Sequence, residues 1–215
     1  MGRSFARLAF TPFVQKQQIA HGSRSLYQRT EQMGRIDDVF TEMERHFIAS
    51  RDSFYISTVS ETGWPYIQHR GGEPGFLRVI DERTIGFADY RGNKQYITQG
   101  NINHDNRVAL FLMDYPTQSR LKILGRTSVH EGPEAQKMIA ELSEKRVQSI
   151  VERVVVIHVE AFDWNCQQHI TPRYTEDQIA RVTAPLRQRV IDLEVENQRL
   201  RDEVNAYMTK HSTKI

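Results

Sequence analysis

A single cysteine, Cys166, stands in 215 residues. It excludes an internal disulfide and any metal site built on several thiolates. No apolar run approaches the roughly 20 residues a membrane-spanning helix requires. The first residues, MGRSFARLAFTPFVQ, lack the continuous apolar stretch of a secretory signal. Neither sign of charge is in excess: 29 Lys and Arg face 27 Asp and Glu, a formal net of +2. That balance gives no reason to expect nucleic acid or a membrane surface as partner. Internal repeats, low-complexity tracts, a Ser-His-Asp order, an HExxH helix and a Walker loop are all missing. His104, His130, His158 and His169 show no mutual metal-ligand spacing. The default expectation is a soluble, cytoplasmic protein, and the 39% hydrophobic share is enough for a real core.

Three segments follow from the patterning. Residues 1–34 carry scattered aromatics, glycines and charges without periodicity and read as an irregular N-terminal arm. From Ile36 a helical period appears, with Ile36, Val39, Phe40, Met43 and Phe47 on one face. Strand chemistry takes over next. FYISTV (54–59), the turn SETGWP and YIQHR (66–70) form one hairpin; FLRVI (76–80) and TIGFA (84–88) a second; RVALFLMDY (107–115) and RLKILGRTSVH (120–130) a third. EGPEAQKMIAELSEK is a helix with Pro133 in its first turn, and RVVVIHVEAFDW (153–164) is a long apolar strand. Six or more strands with short connections predict a mainly β, antiparallel barrel over residues 35–175.

One loop carries candidate chemistry. In DYRGNKQYITQGN (89–101), Gly92 permits a tight turn, Asn93 suits an N-cap, and Lys94 and Gln95 open a short helix. A helix N-terminus offers free N–H groups and partial positive charge, and Lys94 adds a full one, so the turn can cradle a phosphate. Capping alone explains the same residues.

Residues 176–215 behave differently. Ile179, Leu186, Leu193, Leu200 and Tyr207 recur every seven residues, with Thr183, Val190, Asn197 and Val204 four residues on. This is a d/a heptad seam, and Asn197 at an a position favours a two-stranded, in-register coil. In a parallel pair Arg189 faces the partner's Glu194, and Glu196 faces the partner's Arg201. Pro185 places the start of the coil close to it. The other reading is an amphipathic helix packed on its own domain. The preceding TPRYTEDQIARVTAP is no basic block, which argues against a DNA-binding zipper.

The run YIQHRGGEPGFLRVIDERTIGFADYRGNKQYITQGN, then RVALFLMDY and RLKILGR, resembles the pyridoxamine 5′-phosphate oxidase-like FMN-binding proteins. It is similar to a bacterial subgroup with an HRGG strand and a WNC-Q-HITPRY ending, here Trp164-Asn165-Cys166 through Tyr174. The resemblance spans about residues 36–180 and implies an antiparallel split β-barrel. It further implies a homodimer with FMN at the subunit interface.

Residue by residue, the resemblance maps a flavin-contacting strand onto Gln68, His69, Arg70 and Gly71. A second strand, leading along the ribityl chain to the phosphate, maps onto Phe87, Ala88, Asp89 and Tyr90. The phosphate clamp maps onto Asn93, Lys94 and Gln95, with Arg91 beside it. Arg120 stands near the place from which a partner side chain reaches the flavin. Trp164 and Arg173 match the family's late tryptophan and the arginine beyond it. Several of these have plainer readings: His69 as a strand residue bonded to backbone, Asp89 as a turn residue, Arg91 as a loop charge, and Trp164 as core. Cys166 has no visible base partner for a nucleophilic role.

The sequence departs from the family in three places. The clamp Asn-Lys-Gln holds less positive charge than usual, GGEPGF (71–76) is inserted, and the oxidase's Arg-x-His substrate grip is not recognisable. The expectation is an FMN-dependent oxidoreductase acting on a small molecule other than pyridoxamine phosphate. The alternative is a non-catalytic module for flavin, haem or deazaflavin. No catalytic side chain is assigned, because the flavin itself carries the reactive centre.

Overall fold

The computed structural model describes residues 1–142, 151–164 and 168–212. Cys166 and its neighbours Asn165 and Gln167 therefore lie outside the described residues. Contacts divide the chain into two compact units, Met1–Thr171 and Pro172–Ile215.

The first unit is built on seven strands: β1 (Ser53–Val59), β2 (Pro65–Gly71), β3 (Arg78–Val79), β4 (Thr84–Tyr90), β5 (Arg107–Asp114), β6 (Ser119–His130) and β7 (Val151–Trp164). All neighbours run antiparallel, in the order β2-β1-β5-β6-β7-β4-β3. Strands four places apart in a flat sheet would be separated by about 19 Å. Yet Phe54 of β1 meets Phe87 of β4 with ring centroids 5.2 Å apart. The sheet therefore curls on itself into a split barrel whose edge strands are β2 and β3. Inward-facing alternate residues fill it: Phe54, Ile56, Leu110, Leu112, Leu121, Ile123 and Ile157 are almost wholly buried.

Helices pack around this sheet. The segment 1–34, expected to be irregular, forms α1 (Arg3–Ala9), α2 (Pro12–Ala20) and α3 (Arg24–Met33). A distant residue makes α1 possible. Asp37 accepts the backbone N–H groups of Ser4 at 2.6 Å and Phe5 at 3.0 Å, satisfying donors that the first turn leaves free. Phe5 and Ala6 of α1 are buried, in a helix that packs against β7. No short-range period signals such a helix, because its cap lies more than 30 residues downstream.

The helix expected from Ile36 begins later, as α4 (Glu42–Ala49). Thr41 and Glu44 form a reciprocal capping box that fixes the start. Ile36 stays exposed, while Phe40 is buried from the loop and stacks on Phe162 at 5.4 Å. The strand expected at 76–80 shortens to Arg78–Val79, because Phe76 and Leu77 turn into the core. α5 (Ile97–His104) and α6 (Gly132–Leu142) complete the unit.

The second unit holds α7, a 37-residue helix from Glu176 to Ser212. It starts nine residues ahead of Pro185, at the expected position of the C-terminal helix. Thr175 and Gln178 cap it reciprocally: Gln178 N–H donates to Thr175 Oγ1 at 3.2 Å, and Thr175 N–H to Gln178 Oε1 at 2.9 Å. Pro185 lies inside the helix and removes one backbone donor without ending it. No described helix is long and apolar enough to cross a membrane. Among the described residues no group of three metal-ligating side chains converges.

Candidate functional site

A cavity of about 230 Å³ opens between β2, β4, the start of β7 and α5. Strand alternation selects its lining. On β2, Tyr66, Gln68 and Arg70 face the cavity, and the Tyr66 hydroxyl donates to Gln68 Oε1 at 2.6 Å. On β4, Phe87 and Asp89 do the same. A register shift at Asp89/Tyr90 against β7 breaks the alternation there. The bulge turns two consecutive residues of each strand, Asp89 with Tyr90 and Glu152 with Arg153, onto the cavity.

The loop 91–96 closes one side. Asn93, Lys94 and Gln95 all line the cavity, as expected, but by a different geometry. Asn93 does not cap the helix; its Oδ1 accepts the Gln95 N–H at 3.2 Å. α5 begins only at Ile97, preceded by Tyr96 in the left-handed region (φ 53°). Lys94 is left-handed too (φ 62°), whereas Gly92 is not among the positive-φ residues. Two non-glycine residues thus carry the turn that Gly92 was expected to make. Each such residue costs about 1–3 kcal/mol and persists only where surroundings impose it. α5 is moored to β1 by a buried hydrogen bond, Asn101 Nδ2 to Thr58 Oγ1, at 2.9 Å.

Charges meet on the floor. Arg70 Nη1 lies 3.3 Å from Asp89 Oδ1, and Arg153 Nη1 lies 4.0 Å from Asp89 Oδ2. Arg153 also pairs with Glu152 at 2.9 Å and Glu131 at 3.1 Å, and its guanidinium sits 5.1 Å above the Tyr96 ring. Burial pushes the Asp89 carboxyl above the usual range; Arg70 and Arg153 pull against that, and Glu152 adds to it. Among the described residues, three polar atoms in the cavity wall are buried without a hydrogen-bond partner: Arg70 Nε, Thr98 Oγ1 and Arg153 Nε, the last in an ion pair with Glu131. Thr98 is 7% exposed and stands in the first turn of α5, so an unsatisfied hydroxyl accompanies the free N–H groups of a helix N-terminus.

Eight of the expected residues therefore share one cavity: Gln68, Arg70, Phe87, Asp89, Tyr90, Asn93, Lys94 and Gln95. The others stand elsewhere in the single chain. His69 and Gly71 fall on the outer face of β2, with His69 edge-on to Tyr55 at 5.5 Å. Ala88 is buried at a β4 position that alternates with Phe87 and Asp89. Arg91 reaches Glu152 at 3.3 Å from an exposed position. Arg120 begins β6 with its Nε buried and unpartnered. Trp164 donates its indole N–H to Glu44 Oε1 at 2.8 Å and packs edge-on against Phe47 at 4.7 Å. Arg173 belongs to the second unit.

Arg153, Glu152, Thr98 and Tyr96 were not anticipated. A signal existed for Arg153, a cation opening an otherwise apolar strand. None existed for Thr98, whose role depends on where α5 starts.

The family model of pyridoxamine 5′-phosphate oxidase matches residues 40–166. The chain belongs to that family. No curated protein sequence matches it. Among solved structures, it is similar to HupZ of Group A Streptococcus, with 17% identity, TM-score 0.46, and coverage of 63% of this chain and 100% of that one. It is also similar to an F420 reductase, with 16% identity, TM-score 0.43, and coverage of 58% and 98%. A third is an FMN-binding protein from Syntrophomonas wolfei, with 16% identity, TM-score 0.41, and coverage of 71% and 95%.

Proposed function

We propose that the protein is an FMN-dependent oxidoreductase acting on a small molecule, with FMN held between two copies of the chain. The observation that carries this reading is the unsatisfied anion-binding character of the cavity. A helix N-terminus, the buried Thr98 hydroxyl, Arg70 and Lys94 line one cavity, and Thr98 Oγ1 and Arg70 Nε have no hydrogen-bond partner there, although the Arg70 Nη1 pairs with Asp89. A phosphomonoester brings about two negative charges and three strong acceptors, which fit that donor set. Thr98, Lys94 and the first N–H groups of α5 would hold the phosphate, with Arg70 beside them. Gln68 and Asp89, which line the same cavity, would meet the polar ribityl chain. Such a flavin supplies two-electron transfer, which needs no protein nucleophile.

Size supports a second copy. Pockets that bury a drug-sized ligand run to about 300–1,000 Å³, and 230 Å³ in one chain falls short of that. The remaining wall has a candidate source. The outer face of β1, β2 and β5 leaves Tyr55, Val59 and Ile67 exposed, Ile67 at 65%. Packing of this apolar face against a second barrel would cover it, and the unpartnered Arg120 Nε is a group available to reach across.

The test is the colour of the purified protein. Flavin absorbance bands, with FMN released and identified by mass spectrometry, are expected. Colourless protein that fails to take up added FMN overturns the reading. A haem or deazaflavin spectrum moves the protein to the alternative cofactors. A bound flavin that no common reductant or nicotinamide cofactor reduces makes it a binding module.

A further inference from the structure

We infer that α7 pairs with the α7 of a second copy as a parallel, in-register two-stranded coiled coil. The helix is 37 residues long, a rod of about 55 Å, and its seam is bare. Leu186 is 68% exposed, and Leu193 and Leu200 are exposed as well. Leucines at every seventh position of a solvated rod need a cover of matching period.

The polar residues say what that cover is. On the outward faces, side chains are satisfied within the helix: Gln188 donates to Asp192 at 2.9 Å and Gln198 to Asp202 at 3.0 Å. The charges flanking the seam differ. Among the described residues, Arg189, Glu194, Glu196 and Arg201 form no ion pair within their own chain, although Arg199 pairs with Glu203 at 3.7 Å. In a parallel pair those four charges become two mutually attractive sets, Arg189 with the partner's Glu194 and Glu196 with the partner's Arg201. No like-charged pair opposes them.

Asn197 fixes both register and direction. Only a parallel, in-register arrangement sets it against its own copy, where two amides satisfy each other. A shift by one heptad would bury it against valine, and an antiparallel pairing would place it in a leucine layer, leaving amide groups unpaired in either case. The surface is self-complementary, so the partner is this same chain. A parallel coil brings both chains in from one end. Contact between their preceding domains then becomes intramolecular, with an effective concentration on the order of millimolar.

The test uses the full chain with Cys166→Ser, into which Leu186→Cys, Leu193→Cys or Leu200→Cys is introduced singly. Each variant is oxidised with glutathione disulfide and run on a non-reducing gel. Covalent dimer is expected from all three and not from Gln188→Cys on the outward face. Dimer from none, or from one alone, overturns the proposal. In a second arm, Arg189→Glu should weaken the coil about fivefold, and adding Glu194→Arg should restore it. A double variant as weak as the single one counts against the parallel pairing. Neither arm depends on bound flavin, so the coil and the cavity reading fail separately.

Discussion

Two carboxylates stand near opposite ends of β7, the buried Glu44 and the half-buried Asp89, and they are treated in opposite ways. At the Trp164 end, Glu44 receives the indole N–H, the Thr41 N–H and the Thr41 hydroxyl. Burial alone would raise its carboxyl, but these hydrogen bonds together hold it below the usual value. At the Arg153 end, Asp89 is half-buried, yet its two arginines do not offset the desolvation, and its carboxyl stays above the usual value. Both Glu44 oxygens are partnered, and at that end Asp163 Oδ1, which lacks a hydrogen bond, has an ion pair to the N-terminal amine at 3.4 Å in its place. Around Asp89, Thr98 Oγ1 and Arg70 Nε are left over, and two non-glycine residues hold left-handed backbone. The Glu44 end is a structural lock. The Asp89 end keeps polar atoms without a hydrogen-bond partner, the feature on which the proposed phosphate site rests.

The largest effect should come from breaking the lock. Glu44→Ala strands the indole N–H and the Thr41 donors in the interior, and is expected to cost about 3 kcal/mol in urea unfolding. FMN affinity of the remaining folded protein should be unchanged. A large loss of affinity at constant stability would mean that Trp164 belongs to the ligand site after all.

Arg70→Ala should show the reverse pattern. Stability should move by less than about 1 kcal/mol, while FMN affinity falls about 30-fold, the worth of a charge-assisted hydrogen bond. Thr98→Val is smaller and sharper. Its hydroxyl has no partner in the chain, so valine should leave stability equal or slightly higher and weaken FMN about fivefold. A clear loss of stability in Thr98→Val would show that the hydroxyl is already satisfied.

The smallest effect separates the two carboxylates by pH. Glu44, with a depressed folded pKa, adds stability that is present above the ordinary glutamate value and lost as pH falls through its folded value. Asp89, with a raised folded pKa, does the opposite: its contribution is fully present below the ordinary aspartate value and lost as pH rises through its folded value. Glu44→Gln should therefore flatten the acid limb of the stability profile. Asp89→Asn should raise stability at neutral pH, by less than about 1 kcal/mol. Equal pH profiles for the two variants would erase the distinction.

The barrel was readable because hairpin turns and a period of two are local. The capping boxes at Thr41 and Thr175 were also written in the chain, and a T-x-x-E/Q scan would have found both helix starts. α1 was not readable, since Asp37 caps it from a distance. The site was legible by halves for a geometric reason. A motif such as Gln68-His69-Arg70-Gly71 is contiguous in sequence, but the pleat sends alternate residues to opposite faces. Gln68 and Arg70 reach the cavity, and His69 and Gly71 do not. Asn93 and Lys94 line the cavity through a left-handed turn rather than a helix cap, and the two share the same residue preferences. Arg153 carries only an ambiguous signal in the sequence, because a cation at a strand end usually reads as solvated.

The central proposal is that the cavity at the Arg153 end of β7 is a phosphate site. Titrating FMN and riboflavin into the same protein at fixed salt, followed by flavin fluorescence, tests that directly, since the two ligands differ only in the phosphate. Two or more charge-assisted hydrogen bonds predict FMN binding at least about 100-fold tighter than riboflavin, with most of the difference lost in Arg70→Ala. Equal affinity for the two ligands would contradict the account.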